Sequence, residues 1–306
     1  MLSFEGLQLR AALFHSIRNF FRQQGFLEVD TPVRQPLLLP ESNIQPIPSG
    51  SWFLQTSPEQ CMKRLLAAGC EKIFQICPCF RAEERGSKHL EEFTMLEWYR
   101  LDGTYDDLMD DCRSLILFVL DTLNREPAFH QKITGSWFGN GHIDGEWQKI
   151  SVAEAFDTWG RISVQEALDS DRFDEIISIE IEPRLGIAVP TFLYDYPAEC
   201  ASLALLKDSD VNVAERFELY INGIELANGF SELTDSDEQR QRFTEALKMI
   251  AQKRSETHRM PEKFLEDLGQ IDCAAGIAFG LDRFLMLLLS TETIDEVISF
   301  SPADWD

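Results

Sequence analysis

The stretch KIFQICPCFRAEERGSKHLEEFTMLEWYR, Lys72 to Arg100, decides how the rest of the chain is read. Two apolar, β-rich runs, Ile73 to Phe80 and Phe93 to Tyr99, flank a polar segment carrying Arg81, Glu83, Glu84, Arg85, Lys88, His89, Glu91 and Glu92. The pattern predicts an antiparallel hairpin with a long charged loop. Holding that many charges still is costly unless a ligand meets them. Period-2 alternation puts Arg81 and Glu83 on one strand face, and Phe93, Met95, Glu97 and Tyr99 on one face of the returning strand. Arginine suits a phosphate because its planar fork binds two oxygens at once. Glu97, inside a run that should be buried, needs a partner, and a ligand ammonium would serve.

Working outward, 306 residues can bury one large core or two modest ones. No uninterrupted apolar run reaches membrane-spanning length, and the first twenty residues read as an amphipathic helix instead of a signal peptide, which predicts a cytoplasmic protein. The cysteines (61, 70, 77, 79, 112, 200 and 273) form no CxxC pair and stand beside no histidine, so reduced thiols are expected. With 28 basic against 52 acidic residues, the net charge of -24 disfavours a broad nucleic-acid-binding face and hence tRNA as a partner.

Leu9, Leu13, Ile17 and Phe20/Phe21 recur at helical spacing, with Gly25 placed to stop the helix. Phe26 to Asp30 reads as a strand ended by Pro32, and residues 34 to 50 as a loop. In TSPEQCMKRLL, Ser57 is the expected N-cap and Pro58 the first helical residue, with Glu59 near the positive end and Gly69 at the far end. Tyr105 to Asn124 gives another amphipathic helix, whereas residues 125 to 190 carry no motif. Asn222-Gly223 supplies the positive φ values of a type I′ turn between two strands, which pairs Ile221 with Ile224. Glu218 and Glu225 then become diagonal neighbours roughly 7 Å apart on one face, able to share Mg²⁺. Strict alternation would place Glu225 opposite Asn228, Phe230 and Glu232, unless a bulge near Ala227 to Gly229 intervenes. In GIAFGLDRFLM, Gly276 to Met286, the small residues let a ligand lie close to the backbone, and Arg283 opens an apolar helix.

These segments resemble the three ordered motifs of class II aminoacyl-tRNA synthetases, and specifically the lysyl-tRNA synthetases. GFLEVDTP is similar to motif 1, FRAEE with HxxEFTMLEWY to motif 2, and GxxxGxDR to motif 3. The resemblance implies an α+β fold, an antiparallel β-sheet flanked by helices. It also implies a single catalytic domain over 1–306 with a variable insertion at 125–190 and no anticodon-binding domain, and a homodimer built on motif 1. ATP and Mg²⁺ are the implied cofactors: Arg81 on the α-phosphate, Glu83 on the adenine side, Phe93 in the ATP site, His89 near the outer phosphates, Arg283 on the γ-phosphate, and Glu218 and Glu225 on the metal. For the amino acid it implies Glu59 at the amino group, Glu97 and Tyr99 at a lysine-like side-chain ammonium, and Asn228, Phe230 and Glu232 in the pocket. The family has Asn-Pro where Leu90 and Glu91 stand here, and Gly where Ala278 stands, beside the substrate's Cα region. Without the anticodon domain the chain is most similar to truncated lysyl-synthetase paralogues that attach (R)-β-lysine to a lysine of translation elongation factor P. A patch including Arg85 and Lys88 is the implied acceptor contact. Two other readings stay open: a truncated ligase acting on tRNA, and a catalytically silent regulatory paralogue, which should have lost Arg81, Glu218, Glu225 or Arg283.

Overall fold

The computed structural model describes residues 1–143, 145–254 and 259–305. Its central sheet follows from strands whose side chains alternate between a greasy face and a charged one. The strands in chain order are β1 (Leu27–Glu28), β2 (Arg34–Gln35), β3 (Pro48–Ser49), β4 (Trp52–Leu54), β5 (Lys72–Phe80), β6 (Glu92–Leu101), β7 (Gln148–Ser151), β8 (Thr191–Pro197), β9 (Leu206–Lys207), β10 (Asp210–Ile221), β11 (Ile224–Ser231) and β12 (Ala274–Gly280). The large sheet runs β1-β5-β6-β12-β11-β10-β8-β7, with β9 on β10; only the two edge pairings, β1 with β5 and β7 with β8, are parallel. This is the expected α+β arrangement.

Along β6 and β12, Leu96, Trp98, Ile277 and Phe279 point to one face, where they meet Leu9, Leu13 and Ile17 of helix α1 (Phe4–Gln23). Leu108, Cys112 and Leu115 of α3 (Tyr105–Asn124) and Phe284, Leu285 and Leu288 of the helix Leu281–Leu289 complete that core. On the other face a smaller cluster packs Met62 and Leu66 of α2 (Glu59–Ala67) on Phe264 and Leu265. What remains of this second face, in the middle of the sheet, is the floor of a cleft.

Several expectations are refined. The β5–β6 hairpin pairs Ile73 with Tyr99 and Gln75 with Glu97, as read. Strand geometry nevertheless stops at Phe80: Glu83 has φ +66 and sits in the loop, so alternation does not reach it. Only Leu27–Glu28 of the predicted first strand pairs, and the supposed loop 34–50 contains two strands of a small sheet ordered β2-β4-β3. Helix α2 begins one residue later than expected, with Pro58 at the cap; its carbonyl accepts from the Cys61 and Met62 N–H groups, and Ser57 lines the cleft. Residues 125–190 are built into the core: β7 extends the sheet, and Phe156, Phe173, Ile177 and Leu185 pack on Leu193 and Tyr220.

A buried carboxylate cross-links three of these elements. Asp282 Oδ1 accepts from Arg10 Nη1 of α1 at 2.6 Å and its Oδ2 from the Thr94 N–H of β6 at 2.6 Å. Arg10→Ala should therefore cost about 3 kcal/mol, because it strands a buried charge. Arg18→Ala, which breaks a half-exposed pair with Glu28, should cost less than about 1 kcal/mol. Urea unfolding of the two variants measures both, and equal losses would show that the Asp282 cross-link contributes little.

Candidate active site

The cleft encloses about 1110 Å³. Glu59, Arg81, Glu83, His89, Phe93, Glu97, Tyr99, Glu218, Glu225, Asn228, Phe230, Ala278 and Arg283 all line it. Glu232 does not; it lies behind the wall, 3% exposed.

The β10–β11 register explains how so many polar groups share one face. Tyr220 pairs with Glu225 but Leu219 pairs with Ala227, so Leu226 is an extra residue, a bulge. It brings Glu225, Asn228 and Phe230 to the side occupied by Glu218. The bulge is one residue earlier than expected. Asn222 and Gly223 both take positive φ, +53 and +67, as the two-residue turn demands.

At one end two arginines meet the motif loop. Arg81 lies 5.2 Å from the Phe93 ring centroid and 3.8 Å from Glu84. Arg283 donates to the Glu225 carbonyl at 2.9 Å, to Glu225 Oε2 at 3.1 Å and to the Lys88 carbonyl at 3.3 Å, and its Nη2 lies 2.6 Å from His89 Nε2. Partial burial and the surrounding cations push His89 down to about 4, so it is neutral and accepts from Arg283. Glu83 takes a hydrogen bond from Gln45 Nε2 at 3.2 Å. The loop cations expected to greet an acceptor are engaged internally: Arg85 grips both Asp295 oxygens at 2.8 and 2.9 Å, and Lys88 Nζ donates to the Gly223 carbonyl. Leu90 is buried in the core instead of standing at a loop tip, and the Glu91 carbonyl accepts from the Arg81 N–H.

Hard carboxylate oxygens at Glu218 and Glu225 suit Mg²⁺ in kind. Glu182, which comes from the segment without motifs, is close enough for both to raise its carboxyl beyond what burial does. Glu218 also accepts from Arg216 Nη2 at 2.7 Å, Tyr220 Oη at 2.6 Å and Asn228 Nδ2 at 3.3 Å. No group of three metal-binding side chains is preassembled among the described residues, so substrate phosphates would have to complete a metal's shell.

At the other end carboxylates gather with one cation. Glu97 is 1% exposed and accepts from Tyr99 Oη at 2.7 Å; burial first, then Glu59, holds its carboxyl well above the usual range. Ala278 pairs with Glu97 on one side and Asn228 on the other. A Cβ at Gly276 would strike both the Tyr99 ring and the Glu232 carboxylate, so this position requires glycine. Lys63 Nζ lies 2.5 Å from both Glu59 Oε1 and Glu232 Oε2 and 5.3 Å from the Phe230 ring. Lys63 was missing from the sequence reading, although its i+4 spacing from Glu59 on one helix face signals the pair. Arg216 was likewise missed, two residues before Glu218 on the same strand face.

A family model described as tRNA synthetases class II (D, K and N) matches residues 3–304.

One ammonium serving two carboxylates leaves Glu232 raised from 4.5 to about 8, chiefly by burial and secondarily by Glu59, against the pull of Lys63. An acid raised on folding keeps a proton that the unfolded chain releases. Stability should therefore fall as pH rises from about 4.5 to about 8 and level off beyond. Thermal melts across this range should show the slope, and Glu232→Gln should flatten it in part, since Glu97 is raised too. An unchanged slope in the variant would mean that Glu232 is ionised throughout.

Proposed function

The chain belongs to the class II tRNA synthetases (D, K and N), and from that premise we propose that it activates a lysine-like amino acid, (R)-β-lysine, and transfers it to a lysine side chain of elongation factor P. Membership supplies the coarse chemistry, ATP-dependent amino-acid activation. The observation that carries the finer reading is the pair of carboxyl groups at the amino-acid end of the cleft: Glu59 has one cation, Lys63, which it shares with Glu232, and Glu97 has no cation partner among the described residues. A substrate with two ammonium groups balances them. A neutral side chain would leave Glu97 with the Tyr99 hydroxyl alone, and its carboxyl would stay protonated there without a charge to recognise.

In the reaction the substrate carboxylate attacks the α-phosphorus of ATP in line, and pyrophosphate leaves. Arg81 faces the charge that develops on the α-phosphate, while Arg283, oriented by His89, receives the outer phosphates. Glu218 and Glu225 would hold Mg²⁺, whose contribution is to neutralise phosphate charge. Positioning and electrostatics suffice, and no nucleophilic side chain takes part.

Ala278 supports the β-amino preference. It stands between Glu97 and Asn228 on the cleft floor, so its methyl crowds an α-amino group more than a β-amino one. Pyrophosphate exchange across a panel of amino acids tests activation. Exchange should be strongest with β-lysine, and Ala278→Gly should narrow the β/α ratio roughly tenfold, the worth of a methyl-sized misfit. A ratio that does not move removes Ala278 as the discriminator.

The acceptor reading rests on the net charge of -24, which opposes the approach of a polyanion. Incubation with ATP, Mg²⁺ and β-lysine should add one lysyl mass to elongation factor P and leave bulk tRNA uncharged. Mass spectrometry of the factor beside acid gels of the tRNA decides; charged tRNA with unmodified factor would replace this reading with the tRNA ligase.

A further inference from the structure

We propose that Glu41 is the general base that removes the proton from the acceptor amine when the activated amino acid is transferred. The proposal rests on the reading above and names a group that neither the motifs nor the family match assigns.

Glu41 lies in the segment that joins β2 to β3 and lines the cleft. The charges that act on it are Glu59 and Lys63 from α2, and Arg81 and Glu84 from the motif loop. Under the proposed function Glu59 marks the amino end of the substrate and Arg81 the α-phosphate. In an aminoacyl-adenylate the acyl carbon lies within a few bonds of both. Glu41 lines the same cleft as both residues and is close enough to feel them, which puts its carboxylate within reach of an acceptor nitrogen that enters the cleft. Among the other carboxylates on the wall, Glu59 pairs with Lys63, Glu84 with Arg81, Glu97 with Tyr99, Glu218 with Arg216 and Glu225 with Arg283. Glu41 has no hydrogen-bond donor among the described residues. Burial, then Glu59, lifts its carboxyl from 4.5 to about 7, with Arg81 and Lys63 opposing. A base that titrates there is ionised above neutrality and still binds a proton well.

The acceptor arrives as an ammonium and gives one proton to the Glu41 carboxylate. The freed lone pair then attacks the acyl carbon, the amide C–N bond forms, and the C–O bond to AMP breaks with its electron pair on the phosphate. The second nitrogen proton leaves with a phosphate oxygen of AMP. No oxidant, reductant or further reactant is involved.

The test compares two half-reactions in Glu41→Gln. Single-turnover transfer from preformed adenylate to the acceptor protein should fall about 100-fold more than pyrophosphate exchange does, the usual contribution of a positioned base. In the wild type, transfer should decline as pH drops through about 7, since Glu41 then gains its proton. That acid limb should vanish in Glu41→Gln and partly return in Glu41→Asp. Trapping by hydroxylamine, which is neutral at this pH and needs no base, should be spared. Equal losses in exchange, transfer and trapping would make Glu41 a binding or folding residue, and an unchanged ratio of transfer to exchange would dismiss it; either result overturns the proposal. A wild-type chain that exchanges with no amino acid overturns the proposed function, and this assignment with it.

Discussion

The constraint on which this structure depends is the burial of three carboxyl groups at one place on a sheet face. Glu59, Glu97 and Glu232 are each at least nine-tenths buried, and one buried lysine serves two of them. Burying a carboxylate without a partner costs several kcal/mol, so a fold that tolerates this cluster must hold it in place by other means. The apolar layer on the opposite face supplies them: Trp98, Phe279 and Phe284 are fully buried beside α1 and α3 and fix the strands that carry the charges. Backbone close approach at Gly276, where Tyr99 and Glu232 lie over the strand, completes the packing.

Period-2 alternation divides the labour, and one bulge repairs its single conflict. Without Leu226 as the extra residue, Glu225 would face one side and Asn228 and Phe230 the other, and the phosphate end would be severed from the amino-acid end. The sheet thus brings Glu218, Asn228 and, across Ala278, Glu97 to one cleft, which Arg283 borders from the helix that follows β12. Segment 125–190 contributes as well, since Glu182 brings a carboxyl to the pair Glu218 and Glu225 from a region without recognisable signals.

Much of this was legible because it rests on local rules. The β5–β6 hairpin, the Asn222-Gly223 turn and the long amphipathic helices follow from periodicity and turn chemistry, and Glu97 betrayed itself as a carboxylate in an apolar run. Strand boundaries failed where local rules end: Glu83 was assigned to a strand that stops at Phe80 because a left-handed residue is not visible in an alternating pattern. Residues 34–50 lacked pattern because their strands are only two residues long. Glu41 and Glu182 were missed for a different reason, as was the reach of Lys63 and Arg216 beyond their near neighbours Glu59 and Glu218. Their significance lies in what distant segments bring to them, and a single charged residue on a helix or loop is read by default as solvated. Arg85 and Lys88 failed the opposite way, being exposed in sequence terms yet bound to Asp295 and Gly223.

Two adjacent residues show how stability and chemistry are coupled. Asp282 and Arg283 open the helix Leu281–Leu289, and successive helical residues point about 100° apart, the rotation that corresponds to 3.6 residues per turn. Asp282 therefore turns inward to Arg10 and the Thr94 N–H, while Arg283 turns to the cleft and its partners Glu225 and His89. The first pins the helix start to α1 and to β6, the strand that also bears Glu97 and Tyr99. The second inherits that fixed position. A long arginine side chain would otherwise lose much conformational entropy on meeting a phosphate; one held by an anchored helix, a neutral histidine and a carboxylate has lost most of it on folding. Preorganisation of the phosphate end is thus a property of the core, which is why the apolar face and the charged face cannot be altered independently.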